Sequence, residues 1–214
     1  MKMMIAVPCM DQVPVAFVES IIHMEKPEST AVCFKPNSLI YDARNLLSLT
    51  AIEHGFDYVM WMDSDMTFPR DTIPRLLNTL RENGGHMVSG LYVRRTMPTS
   101  PVIFDRIAPP EKDADGNIVK IVHDYTDYPR NAVFPIDGCG FGCVLVSVDL
   151  LKRVWDSFGP AFAPFAWGGE DISFCWRVKQ LGEQILCDSR VKCGHVGSFV
   201  YTESLLGGDA NGQR

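Results

Sequence analysis

Tyr58-Val59-Met60-Trp61-Met62-Asp63-Ser64-Asp65 is the stretch on which the reading of this chain turns. Five apolar residues in a row, with aromatic and β-branched side chains among them, predict a short buried strand. The polar triplet then ends it. If the chain stays extended, Asp63 and Asp65 point to the same side. Two carboxylates one residue apart, at the exit of a buried strand, make a small, hard, doubly negative site. Such a site suits a divalent cation that is itself holding a diphosphate. Asp and Ser are also ordinary turn residues, so the triplet alone reads first as a polar turn, and the rest of the chain has to decide.

Outward from Tyr58, strand and helix patterns alternate through the first ninety or so residues. Met3 to Val7 is a short apolar strand, expected to stop at Pro8. Val13 to Met24 reads as a helix and Thr30 to Phe34 as a strand. Ala43, Leu46, Leu47, Thr50, Ala51 and His54 recur on one helical face, which Gly55 ends. Ile73, Leu76, Leu77 and Leu80 mark the next helix, with Asp71 as N-cap, Pro74 in its first turn and Gly84-Gly85 as its stop. His86 to Val93 reads as a further strand. This order predicts an α/β fold: one Rossmann-like domain with a mostly parallel central sheet flanked by helices.

After about residue 95 the pattern becomes richer in β-structure. A hairpin is expected between Val102-Ile103-Phe104 and Ile118 to His123, with its tip at Asp113 to Asn117. Strands follow at Ala132 to Ile136 and Cys143 to Val146, then a helix at Asp149 to Trp155 and a loop at Pro160 to Trp167. A helix over Glu170 to Leu181 and strands near Gln184 to Cys187 and Lys192 to His195 complete the pattern. One domain is expected over residues 1–206, with a first half to about 95 and a second from about 96. The tail, Gly207 to Arg214, reads as disordered.

The chain has 214 residues, of which 46% are hydrophobic, enough for one domain with a sizeable core. Its formal charge of −6 argues against a basic nucleic-acid groove. No run of eighteen apolar residues predicts a membrane span, and the start reads as a strand and not as a signal peptide. Seven cysteines, several in predicted strands and helices, read as reduced thiols of a cytoplasmic protein.

Four further groups of residues could carry chemistry. Trp167-Gly168-Gly169-Glu170-Asp171 couples an aromatic and two glycines to two acids at a helix start, where the dipole favours ionised carboxylates. A carboxylate there is a reasonable general base; an acidic first turn is the plain alternative. His195, between Gly194 and Gly197, could complete a metal site begun by carboxylates and would favour manganese over magnesium. Arg44, in Asp42-Ala43-Arg44-Asn45, falls off its helix's apolar stripe. It could meet a diphosphate or simply face solvent. Gly138, Gly140 and Gly142 alternate and allow close backbone approach to a ligand.

Together these pieces resemble the glycosyltransferases of the A-type fold, over Ile5 to about His195. Trp167 to Asp171 looks like the Trp-Gly-Gly-Glu-Asp segment of the β-1,4-galactosyltransferases. It also resembles the Trp-Gly-Gly-Glu segment of the polypeptide N-acetylgalactosaminyltransferases. Ile172 replaces a third acid of the animal galactosyltransferases, and the size is closer to small bacterial or phage enzymes of the broad family-two type. The resemblance implies transfer of a hexosyl or N-acetylhexosaminyl group from a nucleotide-diphosphate sugar, a UDP-sugar first, with Mn2+ or Mg2+. It implies Asp171 as an inverting base. Pro8, Asp11, Arg44, Asp63, Ser64, Asp65 and Trp167 would contact the donor. Glu170, with Gly138 and Gly140, would face the acceptor, and Asp63, Asp65 and His195 would hold the metal. The expected acceptor is a glycan, a lipid-linked glycan or a protein; net acidity weighs against a modified nucleic-acid base. A nucleotidyltransferase would need a basic glycine-rich loop after the first strand, which Pro8-Cys9-Met10-Asp11 does not supply. A non-catalytic carbohydrate-binding module, or a zinc protein using Cys175, Cys187, Cys193 and His195, is the remaining alternative, although the spacing of Cys187, Cys193 and His195 lacks zinc knuckles.

Overall fold

The computed structural model describes residues 1–197 and 200–206; the tail expectation for 207–214 lies outside the described residues. The first half runs β1 (Met3–Cys9), α1 (Val15–His23), β2 (Thr30–Pro36), α2 (Ile40–Glu53), β3 (Tyr58–Met62), β4 (Met66–Thr67), α3 (Thr72–Asn83) and β5 (Met87–Leu91). The second runs β6 (Ile103–Lys112), β7 (Ile118–Asp124), β8 (Val133–Ile136), β9 (Gly138–Cys139), β10 (Cys143–Ser147), α4 (Val148–Phe158), α5 (Glu170–Gln180), β11 (Ile185–Lys192), β12 (Gly194–Val196) and β13 (Val200–Tyr201). A 3-10 turn at Glu203–Leu205 follows.

Seven strands form the central sheet in the order β2-β1-β3-β10-β5-β11-β8. β2, β1, β3, β5 and β11 run one way, and β10 and β8 run against them. The sheet is therefore mostly parallel, with one antiparallel strand inserted at its centre. β10 pairs with β3 on one side and β5 on the other, so the second half of the chain is threaded into the middle of the first. Met3, Ile5, Val7 and Met60 pack on one face with Phe17 of α1 and Ile73, Leu76 and Leu80 of α3. Met4, Ala6, Val59 and Trp61 pack on the other with α2, α4 and α5. Apolar residues on both faces of β1 and β3 are what a sheet covered on both sides requires.

Local chemistry explains most boundaries. Gly55 and Gly84 take positive φ, +63° and +67°, immediately past α2 and α3. Asp71 stands at the N-cap position of α3, but its carboxylate pairs with Arg75 and makes no cap hydrogen bond. Ser147 caps α4 by accepting from the Leu150 N–H, a cap the sequence reading did not assign. Several strand limits differ from expectation. β1 continues through Pro8 to Cys9 alongside β2. Its pairing with β3 ends at Ala6, so Pro8 has an unpaired side where a missing N–H costs little. The two expected terminal strands are instead a long β11, with a register shift between Asp188 and Lys192, and a separate short β12. The two-residue β4 pairs with β12 and carries no periodicity that could have announced it.

Gly140 and Gly142 are needed by the packing. A Cβ on Gly140 would overlap the Tyr92 hydroxyl and lie 2.7 Å from Val102 Cγ1; one on Gly142 would lie 2.9 Å from the Tyr92 ring. The close approach expected at these glycines is made by a protein side chain. Gly138 is likewise buried, its Cα facing Ile107 and Cys175. Gly140→Ala is expected to destabilise the fold by about 1–3 kcal/mol through overpacking. Chemical denaturation should show part of that loss recovered in Gly140→Ala/Tyr92→Phe, which removes the hydroxyl in the way.

Candidate active site

The carboxyl ends of β1, β3 and β5 open onto one cleft of about 480 Å³, where ligands bind in sheets of this kind. β1 supplies Pro8, Cys9 and Met10 to its wall; the turn before α2 and its first residues supply Ser38, Leu39 and Ile40. Asp63, Ser64 and Asp65 enter from the end of β3, Tyr92 from just past β5, Phe141 from the turn before β10, and Glu170 and Asp171 from the first turn of α5.

Arg44 joins these parts. It is 2% exposed, although it lies off the apolar stripe of its helix. Its Nη2 donates to Asp63 Oδ1 at 2.8 Å and its Nε to Glu170 Oε1 at 3.2 Å. The guanidinium lies over Phe141, Trp61 and Phe162 at 5.2, 5.6 and 6.0 Å, a favourable cation–π setting. Its Nη1 is buried with no hydrogen-bond partner among the described residues. Burial opposes the cation, but the charges of Asp63 and Glu170 outweigh it and hold Arg44 above its ordinary range. Arg44 thus lines the cleft with its guanidinium engaged by protein carboxylates and closed to solvent, an arrangement unlike the expected diphosphate contact. The neighbouring Asn45 accepts from the Phe162 N–H at 2.9 Å, tying α2 to the loop that leads into α5.

The triplet is a turn, not a continuation of β3. The period-two alternation therefore lapses at Met62, and the two carboxylates diverge. Asp63 faces Arg44; Asp65 Oδ2 lies 3.0 Å from Arg95 Nη1 and 3.4 Å from His195 Nε2. Among the described residues no group of three His, Cys, Asp or Glu side chains is placed to hold a metal ion, so the expected three-residue metal site is not assembled. Asp65 and His195 do meet. β12 pairs with β4, setting His195 opposite Met66, and the Val196 N–H donates to the Asp65 carbonyl at 2.7 Å. A Cβ on Gly194 would collide with Thr67 and lie 2.6 Å from Val200 Cγ1, so glycine is what lets β12 come this close. The His195 Nδ1 lies 2.9 Å from the Val93 carbonyl. A carbonyl only accepts, so Nδ1 carries a proton and Nε2 is the nitrogen that faces Asp65, the usual orientation of a metal-ligating imidazole. Burial works to raise the Asp65 carboxyl, but the hydrogen bond and charge of His195 and the Arg95 charge outweigh it and hold it low.

Asp171 behaves in the opposite way. Burial first, and then the Glu170 charge, push its carboxyl up to about 6 from an ordinary 3.8, although it accepts the Ile172 N–H at 2.7 Å. Tyr92 sits beneath this group, and its hydroxyl accepts the Gly142 N–H at 3.3 Å. Burial, then Asp63, raises that phenol well above its ordinary range. Two expected donor contacts stand elsewhere. Asp11 is exposed beyond the cleft wall. Trp167 stacks on Phe165 at 4.8 Å, beside the paired backbones of Phe165 and Gly168, and does not line the cleft. Arg95, Tyr92, Phe141 and Ser38 to Ile40 were not expected. Only Arg95, a cation beside another in Arg94-Arg95, offered a signal in the sequence.

The Glycosyl transferase family 2 model matches residues 32–155, more than half of the chain and short of α5. No curated protein matches the sequence. Among solved structures the chain is similar to A197 from STIV, with 15% identity and a TM-score of 0.70 over 100% of this chain and 98% of that one. It is also similar to GalNAc-T7, solved with UDP, GalNAc and Mn2+, with 10% identity and a TM-score of 0.58 over 97% of this chain and 45% of that one. At these identities the likeness is one of fold.

Two outcomes follow from the charges. Arg44→Met should cost on the order of 3 kcal/mol, because it leaves Asp63 and Glu170 facing each other without a cation; adding Asp63→Asn should return part of that loss in urea melts. Asp171 has a folded-state pKa above its unfolded value, so its contribution to stability is present below about pH 4 and lost as pH rises through about 6. Asp171→Asn should therefore match the parent near pH 4 and exceed it near pH 8, by at most about 3 kcal/mol. A stability difference that does not change with pH would remove the burial argument for this group.

Proposed function

This chain belongs to glycosyl transferase family 2, and we propose that it moves a hexosyl or N-acetylhexosaminyl group from a nucleotide-diphosphate sugar to an acceptor hydroxyl, with inversion. Glycosyl transfer comes with the family; the donor, the ion and the stereochemistry are our reading. The observation that carries it is Asp171, a carboxylate with a raised pKa at the start of α5, in one cleft with Asp63 and Asp65. A base with a pKa near neutrality both binds and releases a proton readily at the operating pH.

In this reading the donor occupies the half built by residues 1–95, along Pro8, Ser38 to Ile40 and Ser64, and the acceptor meets the half built by 96–206. Asp65 and His195 are suited to hold a divalent ion, manganese first, because an oxygen and an imidazole nitrogen face each other and the imidazole's other nitrogen is fixed by Val93. Such an ion, when bound with the donor, supplies Lewis-acid neutralisation of the leaving diphosphate. Glu170, held by Arg44, accepts a hydrogen bond from the acceptor and orients it. Asp171 takes the proton of the attacking hydroxyl as that oxygen bonds to the anomeric carbon, and the anomeric carbon–phosphate oxygen bond breaks on the opposite face. The proton ends on Asp171 and the bonding pair on the nucleotide diphosphate. An acceptor glycan, lipid-linked glycan or protein fits this chemistry equally. No described helix is long and apolar enough to cross a membrane.

A panel of nucleotide sugars, assayed with and without Mn2+ for hydrolysis and transfer, should give one preferred donor, a UDP-sugar first. Asp65→Ala should reduce kcat/KM for it by about a hundredfold or more, and Asp171→Asn should lower kcat by roughly 10²–10⁴. The anomeric configuration of the product, read by NMR, should be inverted; retention would sink the assignment of Asp171 as base.

A further inference from the structure

The cation position of Asp65 is filled by a side chain of the chain itself. Arg95 Nη1 lies 3.0 Å from Asp65 Oδ2, the same oxygen that lies 3.4 Å from His195 Nε2. That same Nη1 donates to the Val196 carbonyl at 3.1 Å, one residue past His195. An ion shared by Asp65 Oδ2 and His195 Nε2 would need the space and the charge compensation that Arg95 now provides. The two arginines on this triplet differ. Arg44 is sealed over its aromatic floor and cannot leave Asp63 without abandoning Glu170. Arg95 is 46% exposed, on the segment between β5 and β6, beside the exposed Thr96, Met97 and Pro98.

We propose that Arg95 is a built-in counter-cation of the donor site, which yields Asp65 to the arriving divalent ion and swings onto the donor's diphosphate. This rests on the metal-dependent reading above and deepens it. Before donor arrives, a carboxylate beside an imidazole is kept neutralised and the site resists a bare ion. When the ion arrives with its nucleotide, one positive charge is exchanged for another at Asp65, and the released guanidinium meets new anionic oxygens a few ångströms away. Planar, always charged and carrying five donors, arginine suits both partners. Ion and nucleotide are then bound as a pair and not one by one, a coupling that a passive acidic pair would lack.

The test separates the two ligands and needs no turnover. Mn2+ alone, titrated against the protein and followed by the electron paramagnetic resonance of the free ion, should bind Arg95→Gln roughly three- to tenfold more tightly than the parent. UDP in the presence of saturating Mn2+, measured by calorimetry, should bind the same variant roughly tenfold or more weakly. Opposite shifts for the two ligands are the signature; a merely structural arginine would weaken both. Arg94→Gln is the control, since Arg94 is held by Asp124 at 2.8 Å, and it should change neither affinity. If Arg95→Gln binds Mn2+ no more tightly than a parent that does bind it, the counter-cation role falls while the metal-dependent reading stands. If neither protein binds Mn2+ with or without UDP, both fall. An equal gain in Arg94→Gln would reduce the effect to net charge and overturn the proposal as well.

Discussion

The buried guanidinium of Arg44 is the constraint on which the rest of this site depends. A charge taken out of water must be met by opposite charge and hydrogen bonds, or it unfolds its surroundings. Asp63 and Glu170 meet it here, from segments more than a hundred residues apart in sequence. The aromatic rings of Trp61, Phe141 and Phe162 around it, set edge to face with one another, are drawn from three segments as well. The end of β3, the turn before β10, the loop before α5 and α5 itself are thus pinned to α2 by one side chain. That is how two halves of the chain come to share a cleft.

The same charge arrangement separates the four carboxylates in the cleft into roles. Asp63 and Glu170 are committed to Arg44. Asp65 is held low by His195 and Arg95 in spite of its burial. Asp171 is the acid left with burial and a like charge as the main influences, and it is raised to about 6. Paired titratable groups whose surroundings push their pKa values apart are the usual basis of acid–base division in a site. Here His195 and Arg95 beside Asp65, and burial next to Glu170 at Asp171, set the two carboxyls apart.

The sheet and most helices were legible from Tyr58 outward because they depend on local pattern: apolar runs bounded by glycine, and an apolar face at helical spacing from Ala43 to His54. Residues whose role rests on long-range contact were less legible. Arg44 lies off the stripe of α2, and nothing local distinguishes a solvated arginine from one that a distant loop will cover. The triplet misled in the converse way. Its alternation would align Asp63 and Asp65 only in an extended chain, and the chain turns at Ser64 and Asp65, after β3 has ended at Met62. Gly138 and Gly140 announced a close approach but could not say which side chains lie against them, Ile107 and Cys175 at the first and Tyr92 and Val102 at the second. Trp167 signalled a specific segment, yet its ring found Phe165.

By itself the sequence determined an α/β domain with acids at the end of a buried strand and at the start of a late helix. Periodicity, turn residues and helix ends act over a few residues and are written there. The insertion of β10 between β3 and β5, the pairing of β4 with β12 that brings His195 to Asp65, and the burial of Arg44 were decided only by the tertiary structure. Each depends on which distant surfaces exclude water together, and that free energy is a property of the packed chain and of no segment within it.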